Sequence, residues 1–378
     1  MSRVDPQRQN RSGEDNQPWA GVRTVPSSHY TDPEHLRREE DEVFKRAWIV
    51  VAREEQIPRP GDYVVFDELG ESLVAVRDES GRVRVLHNSC RHRGSRMLEG
   101  CGHADTLDCP YHGWSYGLDG SLKGVPRIGG FDALDTNRMG LHAVRSSTWL
   151  GFVWINLDPD APPLLATLGS LPDELAPYRL EEMRPIAIKD EVVPANWKAM
   201  LENAMDFYHV PFVHGRTINK HVTRGPDLQS YGDHTRQRLP IAAYGWRASL
   251  DRRCTRGGPY TPLQVSALHK YLVFPNFLIN VLPFHLTVMQ VFPIDTHSCR
   301  LRYAFCKRQG ARGIELARVY GTWAASRYIL WEDLTVLDRF QRGVDTQRVS
   351  TQTLHDEEAA ASHFHGVLRR WMESPPTP

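Results

Sequence analysis

The segment CRHRGSRMLEGCGHADTLDCPYHGW runs from Cys90 to Trp114. It sets out Cys90-x-His92 and Cys109-x2-His112, sixteen residues apart. Cys and His in short pairs are metal-ligand spacing. Two centres can be built from them. Four such ligands close a tetrahedral structural zinc site. Alternatively, the two thiolates hold one iron of a [2Fe–2S] cluster and the two imidazoles hold the other. The pattern favours the cluster. Each arm offers one sulfur and one nitrogen and so reaches both irons, whereas a zinc site more often takes Cys-x2-Cys from one arm. Gly94, Gly100, Gly102 and Gly113 let the loops wrap closely and free backbone N–H groups for the sulfides. Pro110 stiffens the second loop.

C-R-H-R-G and C-P-Y-H-G-W resemble the Rieske domain of the Rieske non-heme iron oxygenases, in their large catalytic alpha subunit. The resemblance covers roughly residues 30 to 370. It makes Cys90, His92, Cys109 and His112 the cluster ligands. It also implies a second, mononuclear iron further along the chain.

Composition sets outer limits. The chain has 378 residues, room for two domains with a substantial core. Lys+Arg and Asp+Glu are equal at 46 each, which points away from a nucleic-acid partner. No apolar run is long enough to span a bilayer, and the polar start (MSRVDPQRQNRSGEDNQP) lacks an apolar signal core. A cytoplasmic protein is expected. Of six cysteines, Cys101, Cys254, Cys299 and Cys306 show no paired spacing. No disulfide brace across the cluster loops is expected, and Cys101 reads as a loop thiol.

Residues 1–20 read as disordered. A helix is expected over Thr31–Trp48, capped by Thr31 or Asp32. Val-rich segments from Ile49 to Asn88, a hairpin turning at Asp119-Gly120, and a strand pair near residues 148–158 make a small antiparallel β domain. The ligand loops extend from it. We set this domain at residues 46–158 and the catalytic domain at 21–45 and 159–378. In the latter, Ala187–Val193 is strand-like and Asn196 to about Tyr208 helical, and residues 222–260 lack a clear period. KYLVFPNFLINVL, FHLTVMQVFPID and CRLRYAFCKRQ are strands. Gly313–Gln341 and Ser362–Met372 are helices. The fold class expected is α+β: a small antiparallel β domain plus an antiparallel sheet flanked by helices.

The second iron has candidates in NAMDFYHVPFVH, residues 203–214. Two His and a carboxylate bound on one face make the facial triad of non-heme Fe(II) oxygenases. His209 and His214 stand at i and i+5, about 140° apart on an ideal helix. Pro211 between them implies a helix break near Val210 that brings His214 round. The segment resembles the family pattern N-x2-D-x2-H-x4-H at Asn203, Asp206, His209 and His214. On that resemblance Asp206 is no ligand. It links His209 to His112 or His92 of a neighbouring subunit and gives an electron a short path. WEDLTVLDRFQRG resembles the family segment E-D-x4-E-x2-Q and makes Asp333 the third ligand, with Asp338 the alternative. Glu332 is expected to point elsewhere.

The resemblance implies a terminal oxygenase using O2, with electrons from NAD(P)H arriving only through a separate reductase and a ferredoxin in some systems. The chain has no G-x-G-x-x-G or P-loop of its own. It also implies a head-to-tail homotrimer. The first reading of the reaction is hydroxylation of a small, aromatic organic substrate, as in aromatic hydrocarbon catabolism. The alternative is oxidative N- or O-demethylation, with a quaternary ammonium among the candidates. A Rieske electron carrier and a zinc-stabilised module are the readings from other classes. Met205, Phe207, Phe212, Tyr244, Trp246, Phe277, Phe284 and Trp323 are the apolar residues considered for the pocket.

Overall fold

The computed structural model of the chain describes residues 21–218, 227–240, 267–282 and 285–373. The tail 1–20 lies outside them, as do Cys254, Tyr244, Trp246 and Phe284. The chain divides into two compact units. One is Phe44–Leu164; the other joins Met1–Val43 to Leu165–Pro378.

In the smaller unit the Val-rich segments are antiparallel strands. Asp62–Glu68, Glu71–Arg77 and Val83–His87 form a meander, and Cys101–His103 joins it along Asp62–Glu68. Ile49–Arg53 pairs with Phe152–Asn156, which turns back onto Arg145–Trp149. A third small sheet holds Leu107–Asp108, Ser115–Tyr116 and Leu122–Gly124. Its turn uses Gly120 at φ +87°, and Asp119 Oδ1 accepts from the Ser121 amide at 3.0 Å. Trp114, Tyr116, Leu107 and Leu86 pack with Cys90 and Cys109 in one apolar cluster. The bases of both ligand loops therefore stand on the domain's core.

The larger unit is built on seven antiparallel strands. Their order is Met183–Val193, Cys299–Arg308, His285–Pro293, Phe277–Leu282, Ala267–Val273, His234–Pro240 and Asp227–Tyr231. The last two form a hairpin inside the region read as irregular from sequence. Its alternation was hidden because Arg236 and Arg238 sit at strand positions, paired with Glu174 and Asp227. The N-terminal helix is shorter than expected. Pro33–Glu39 is α-helical with Asp32 Oδ1 capping the Glu34 amide at 2.9 Å, and Glu40–Phe44 continues as a π turn. Helices Gly313–Val344 and Ala359–Glu373 complete the unit.

One helix, Trp197–Met205, leads to the predicted iron ligands, and its start is fixed by buried polar bonds. Asn196 Oδ1 accepts from the Lys198 amide at 3.1 Å, and the Asn196 amide donates to Gln341 Oε1 at 2.8 Å. The second bond ties this helix to the long helix that carries Asp333. Lys198 and Glu39 are both fully buried, with Nζ 2.9 Å from Oε1 and 3.0 Å from Oε2. Trp197 Nε1 donates to Glu39 Oε2 at 2.7 Å. Burial pushes the Glu39 carboxyl up, but Lys198 and His35 hold it net below the usual range. Removing one partner strands a buried charge. Lys198→Met should therefore cost about 3–5 kcal/mol of unfolding free energy in urea titrations, and the double variant Glu39→Leu/Lys198→Met should recover most of it.

Candidate metal centres

The two cluster loops are built alike. The Gly94 amide donates to Cys90 O at 2.8 Å, and the Gly113 amide donates to Cys109 O at 3.0 Å. Both glycines have positive φ, +73° and +68°, where an L side chain is strained. Asn88 braces the first loop, with Oδ1 accepting from the Leu98 amide at 3.0 Å and Nδ2 donating to Leu98 O at 2.7 Å. The thiols of Cys90 and Cys109 are buried, His92 is half-buried and His112 is exposed. Sulfur thus sits on the core side and imidazole at the surface. The His92 and His112 ring centres are 4.7 Å apart, and His92 stacks on Trp114 at 5.0 Å. Burial pushes the Cys109 thiol up, but the amides of Tyr111 and His112 and the Cys90 and Ser95 side chains pull it net below its ordinary value. His92 Nδ1 is buried with no hydrogen-bond partner. An orphaned imidazole nitrogen beside two enclosed thiols fits a Cys2His2 cluster.

In the larger unit the ligand helix ends earlier than expected. Asp206 is its C-cap in extended backbone, with its amide on Glu202 O at 2.7 Å. The chain then reverses into a short helix, Val210–Val213, with His209 as N-cap and His214 as C-cap. The break lies at Asp206–Tyr208 rather than near Val210. Pro211 sits in the first turn of a new helix, where no amide is needed, so it starts that helix instead of ending the previous one. His209 and His214 consequently flank one helical turn, with ring centres 5.2 Å apart.

Asp333 meets them from the long helix. His214 Nε2 is 2.8 Å and His209 Nε2 is 3.5 Å from Asp333 Oδ1. One ligand atom from each of the three residues lies within 4.8 Å of the others, close enough to share one ion. Each remaining imidazole nitrogen is held by a different carboxylate. Asp206 Oδ2 is 2.8 Å from His209 Nδ1, and Glu332 Oε2 is 2.8 Å from His214 Nδ1. Thr217 Oγ1 donates to Glu332 Oε2 at 2.9 Å. Glu332 therefore does not point elsewhere. Neighbouring helix positions diverge by about 100°, but the His214 ring lies between them and uses one nitrogen for each. Asp338 pairs with Arg342 on the surface and has no part in the site. Asn203 shows no bond to the three candidate ligands, and its Oδ1 is buried without a partner. Of the apolar residues considered for the pocket, Phe207 packs with Val210 and Leu239, and Trp323 packs on Phe305 and Val319. Met205 and Phe277 are core, and Phe212 is 78% exposed.

Burial lowers His209, but bonds to Asp206 and Asp333 raise it to about 9; His214 is raised by Asp333 and Glu332 against the same burial. Asp333, pushed up by burial, is held net low by both rings. Two nitrogens and a carboxylate aimed at one point, each imidazole oriented through its far nitrogen, suit a non-heme Fe(II).

A small antiparallel β unit bearing a Cys2His2 loop pair, with an α+β unit bearing a His2Asp site, defines a two-centre iron oxygenase. Residues 47–136 match the family model described as Rieske [2Fe-2S] domain, and residues 175–374 match ring hydroxylating alpha subunit (catalytic domain). The chain belongs to the Rieske oxygenases, as a ring-hydroxylating-type alpha subunit. It is 28% identical over 364 residues to choline monooxygenase of Arabidopsis thaliana, covering 93% of this chain and 83% of that one. It is 28% identical over 367 residues to the carnitine monooxygenase oxygenase subunit of Escherichia coli K12, covering 91% and 92%. Among solved structures, a quaternary ammonium Rieske monooxygenase shares the fold at TM-score 0.80 and 21% identity, over 94% and 96% of the two chains. Naphthalene 1,2-dioxygenase from Rhodococcus sp. does so at TM-score 0.79 and 22% identity, over 93% and 95%. The family reading brings a Rieske [2Fe–2S] cluster, a mononuclear iron, O2, a reductase and a small-molecule substrate. It replaces the zinc-module and electron-carrier readings. Among the described residues no helix is long and apolar enough to cross a membrane.

Two outcomes check the site. Glu332→Ala should weaken Fe(II) retention about 10–100-fold while leaving the cluster's visible spectrum unchanged. A raised His pKa stabilises the folded state fully below the unfolded value of 6.5 and loses that contribution as pH rises toward about 9. Iron-depleted protein should accordingly melt at progressively lower temperature across that window. Iron-loaded protein, in which these protons are displaced, should show a flatter profile.

Proposed function

We propose that this chain is the terminal oxygenase of a system that oxidises a small methylated ammonium compound. One atom of O2 enters a C–H bond next to nitrogen and the other leaves as water, with two electrons from the reductase. The resulting carbinol-type product then releases its C–N bond. The observation that carries the oxygenase reading is the convergence of His209, His214 and Asp333, each imidazole locked by its own carboxylate. The substrate reading is supported by relatives named for choline and carnitine that align over nine-tenths of the chain. Ring hydroxylation, the first reading from sequence, has the family model's description and a fold likeness to naphthalene dioxygenase behind it, but neither full-length relative aligned by sequence is named for an aromatic substrate.

Cys90, Cys109, His92 and His112 hold the cluster; His209 and His214 offer Nε2, and Asp333 its carboxylate, to the iron. When bound, these groups supply single electrons and a place for O2 beside the substrate. The protein does the rest. Asp206 and Glu332 keep the protons of His209 and His214 on Nδ1, so that both Nε2 atoms stay free as donors. In a head-to-tail homotrimer Asp206 also accepts from His112 or His92 of the neighbouring subunit. Tyr111 and His112 are exposed around the cluster, and Tyr208 and Phe212 around Asp206. Two exposed aromatic rims are suited to bury one another.

Asp206→Ala should keep the cluster spectrum, weaken Fe(II) retention about 10–100-fold as Glu332→Ala does, and still lose about 100-fold in coupled turnover once reloaded with Fe(II); the wild type should sediment as a trimer. Supplied with a reductase, NADH and isotope-labelled O2, the protein should convert a methylated ammonium such as carnitine, glycine betaine or choline to a dealkylated amine and a labelled carbonyl product. Turnover of aromatic hydrocarbons alone would contradict the reading.

A further inference from the structure

The sheet has two unlike faces beside the ligand segment. In the strands Ala267–Val273, Phe277–Leu282 and His285–Pro293, burial alternates. His269, Tyr271, Ile279 and Val281 are buried, whereas Lys270, Asn280, Thr287 and Met289 keep some accessible surface. Register aligns Gln237, Lys270, Asn280 and Thr287 in one row across four neighbouring strands. The row looks at the end of the ligand helix. Lys270 Nζ donates to Ala204 O and lies 5.2 Å from the centre of the Phe207 ring, and Gln237 Nε2 donates to Met205 O at 2.6 Å. Positions in the middle of a wide sheet are ordinarily apolar, so four polar residues in register call for a ligand or a purpose.

Two of these groups have capacity to spare. An ammonium has three donors, and among the described residues Lys270 finds one acceptor, Ala204 O, and no carboxylate within ion-pair distance. Asn280 Oδ1 is buried without a partner, while its Nδ2 reaches only the Met289 sulfur at 4.0 Å. That amide can turn to present either atom. Burial pulls the Lys270 ammonium down to about 8, against the attraction of Asp333 and Asp206. Lys270 and Asn280 thus keep some accessible surface on the sheet face that meets the end of the ligand helix.

We propose that Lys270, with Asn280 beside it, receives the anionic end of the substrate, which makes the substrate a carboxylate-bearing zwitterion or acid and not a simple cation. The inference rests on the reading that the substrate lies on this sheet face beside His209 and Asp333. An enclosed ammonium repels a trimethylammonium group brought against it and attracts a carboxylate, with a charge-assisted hydrogen bond as the contact. Of the compounds that name the relatives, carnitine and glycine betaine carry a carboxylate and choline does not.

Calorimetric titration of the anaerobic, iron-loaded protein with two matched pairs isolates the carboxylate: glycine betaine against choline, and benzoate against benzyl alcohol. The wild type should favour the carboxylate member of the pair it accepts by about tenfold or more. Lys270→Gln keeps a donor for Ala204 O but not the charge, and should weaken carboxylate binding about 30-fold or more while leaving the other member within about threefold. Asn280→Ala should weaken the carboxylate member alone, by about fivefold. Lys270→Arg should keep most of the preference. Melting temperature and iron content of each variant show that the fold is intact. Absence of a carboxylate preference in the wild type, its survival in both Lys270→Gln and Asn280→Ala, or failure of all four compounds to bind overturns the proposal. Binding of the benzoate pair in place of the glycine betaine pair, with the preference still lost in Lys270→Gln, upholds it and overturns the ammonium reading instead.

Discussion

Two carboxylate–imidazole bonds of 2.8 Å, Asp206 to His209 and Glu332 to His214, are what the rest of the catalytic unit serves. An imidazole can bind a metal only through a nitrogen free of its proton, and the partner of the other nitrogen decides which one that is. Here the two partners come from different helices. Asp206 caps the helix Trp197–Met205, and Glu332 lies on the helix Gly313–Val344. The site is therefore correct only if the two helices are correctly placed. The Asn196 amide to Gln341 Oε1 bond and the buried Lys198–Glu39 pair hold the first helix to the second and to the N-terminal segment. Buried polar bonds are costly to misplace, so they specify position better than apolar contact does.

The same logic shapes the smaller unit with different chemistry. Cys90 and Cys109 stand on the apolar core, and their backbone carbonyls are bridged by the amides of Gly94 and Gly113. The imidazoles lie outward, His92 half-buried and His112 exposed. On the proposed assignment, the smaller unit would fix sulfur in a dry base and the larger would fix nitrogen between carboxylates.

Much of this was legible in the sequence because metal chemistry leaves few choices. The paired spacing of Cys90, His92, Cys109 and His112 marks them as candidate metal ligands, and the resemblance to the Rieske oxygenases singles out His209, His214 and Asp333. The small β domain showed in its Val-rich alternation and Gly turns. The exceptions have physical reasons. The hairpin Asp227–Pro240 carries no apolar alternation in sequence because charged pairs fill its strands. From sequence Pro211 implies a break near Val210, whereas in the fold it serves as a first-turn residue and the break precedes it. Helix geometry separates Glu332 from Asp333, and that rule does not anticipate the His214 ring touching both. Lys270 gave no local signal at all, since its meaning comes from Gln237 and Asn280 in neighbouring strands. Contacts between distant segments are what a single sequence conceals.

On the proposed assignment, one chain holds a two-iron cluster and a separate iron between His209, His214 and Asp333. Iron and acid-labile sulfide counted per chain, on anaerobically purified wild type and on His209→Ala, test it most directly. About three iron to two sulfide in the wild type, falling to about two to two in the variant with the cluster spectrum intact, is the result this structure predicts. The same ratio in both proteins, after reconstitution with Fe(II), would contradict it.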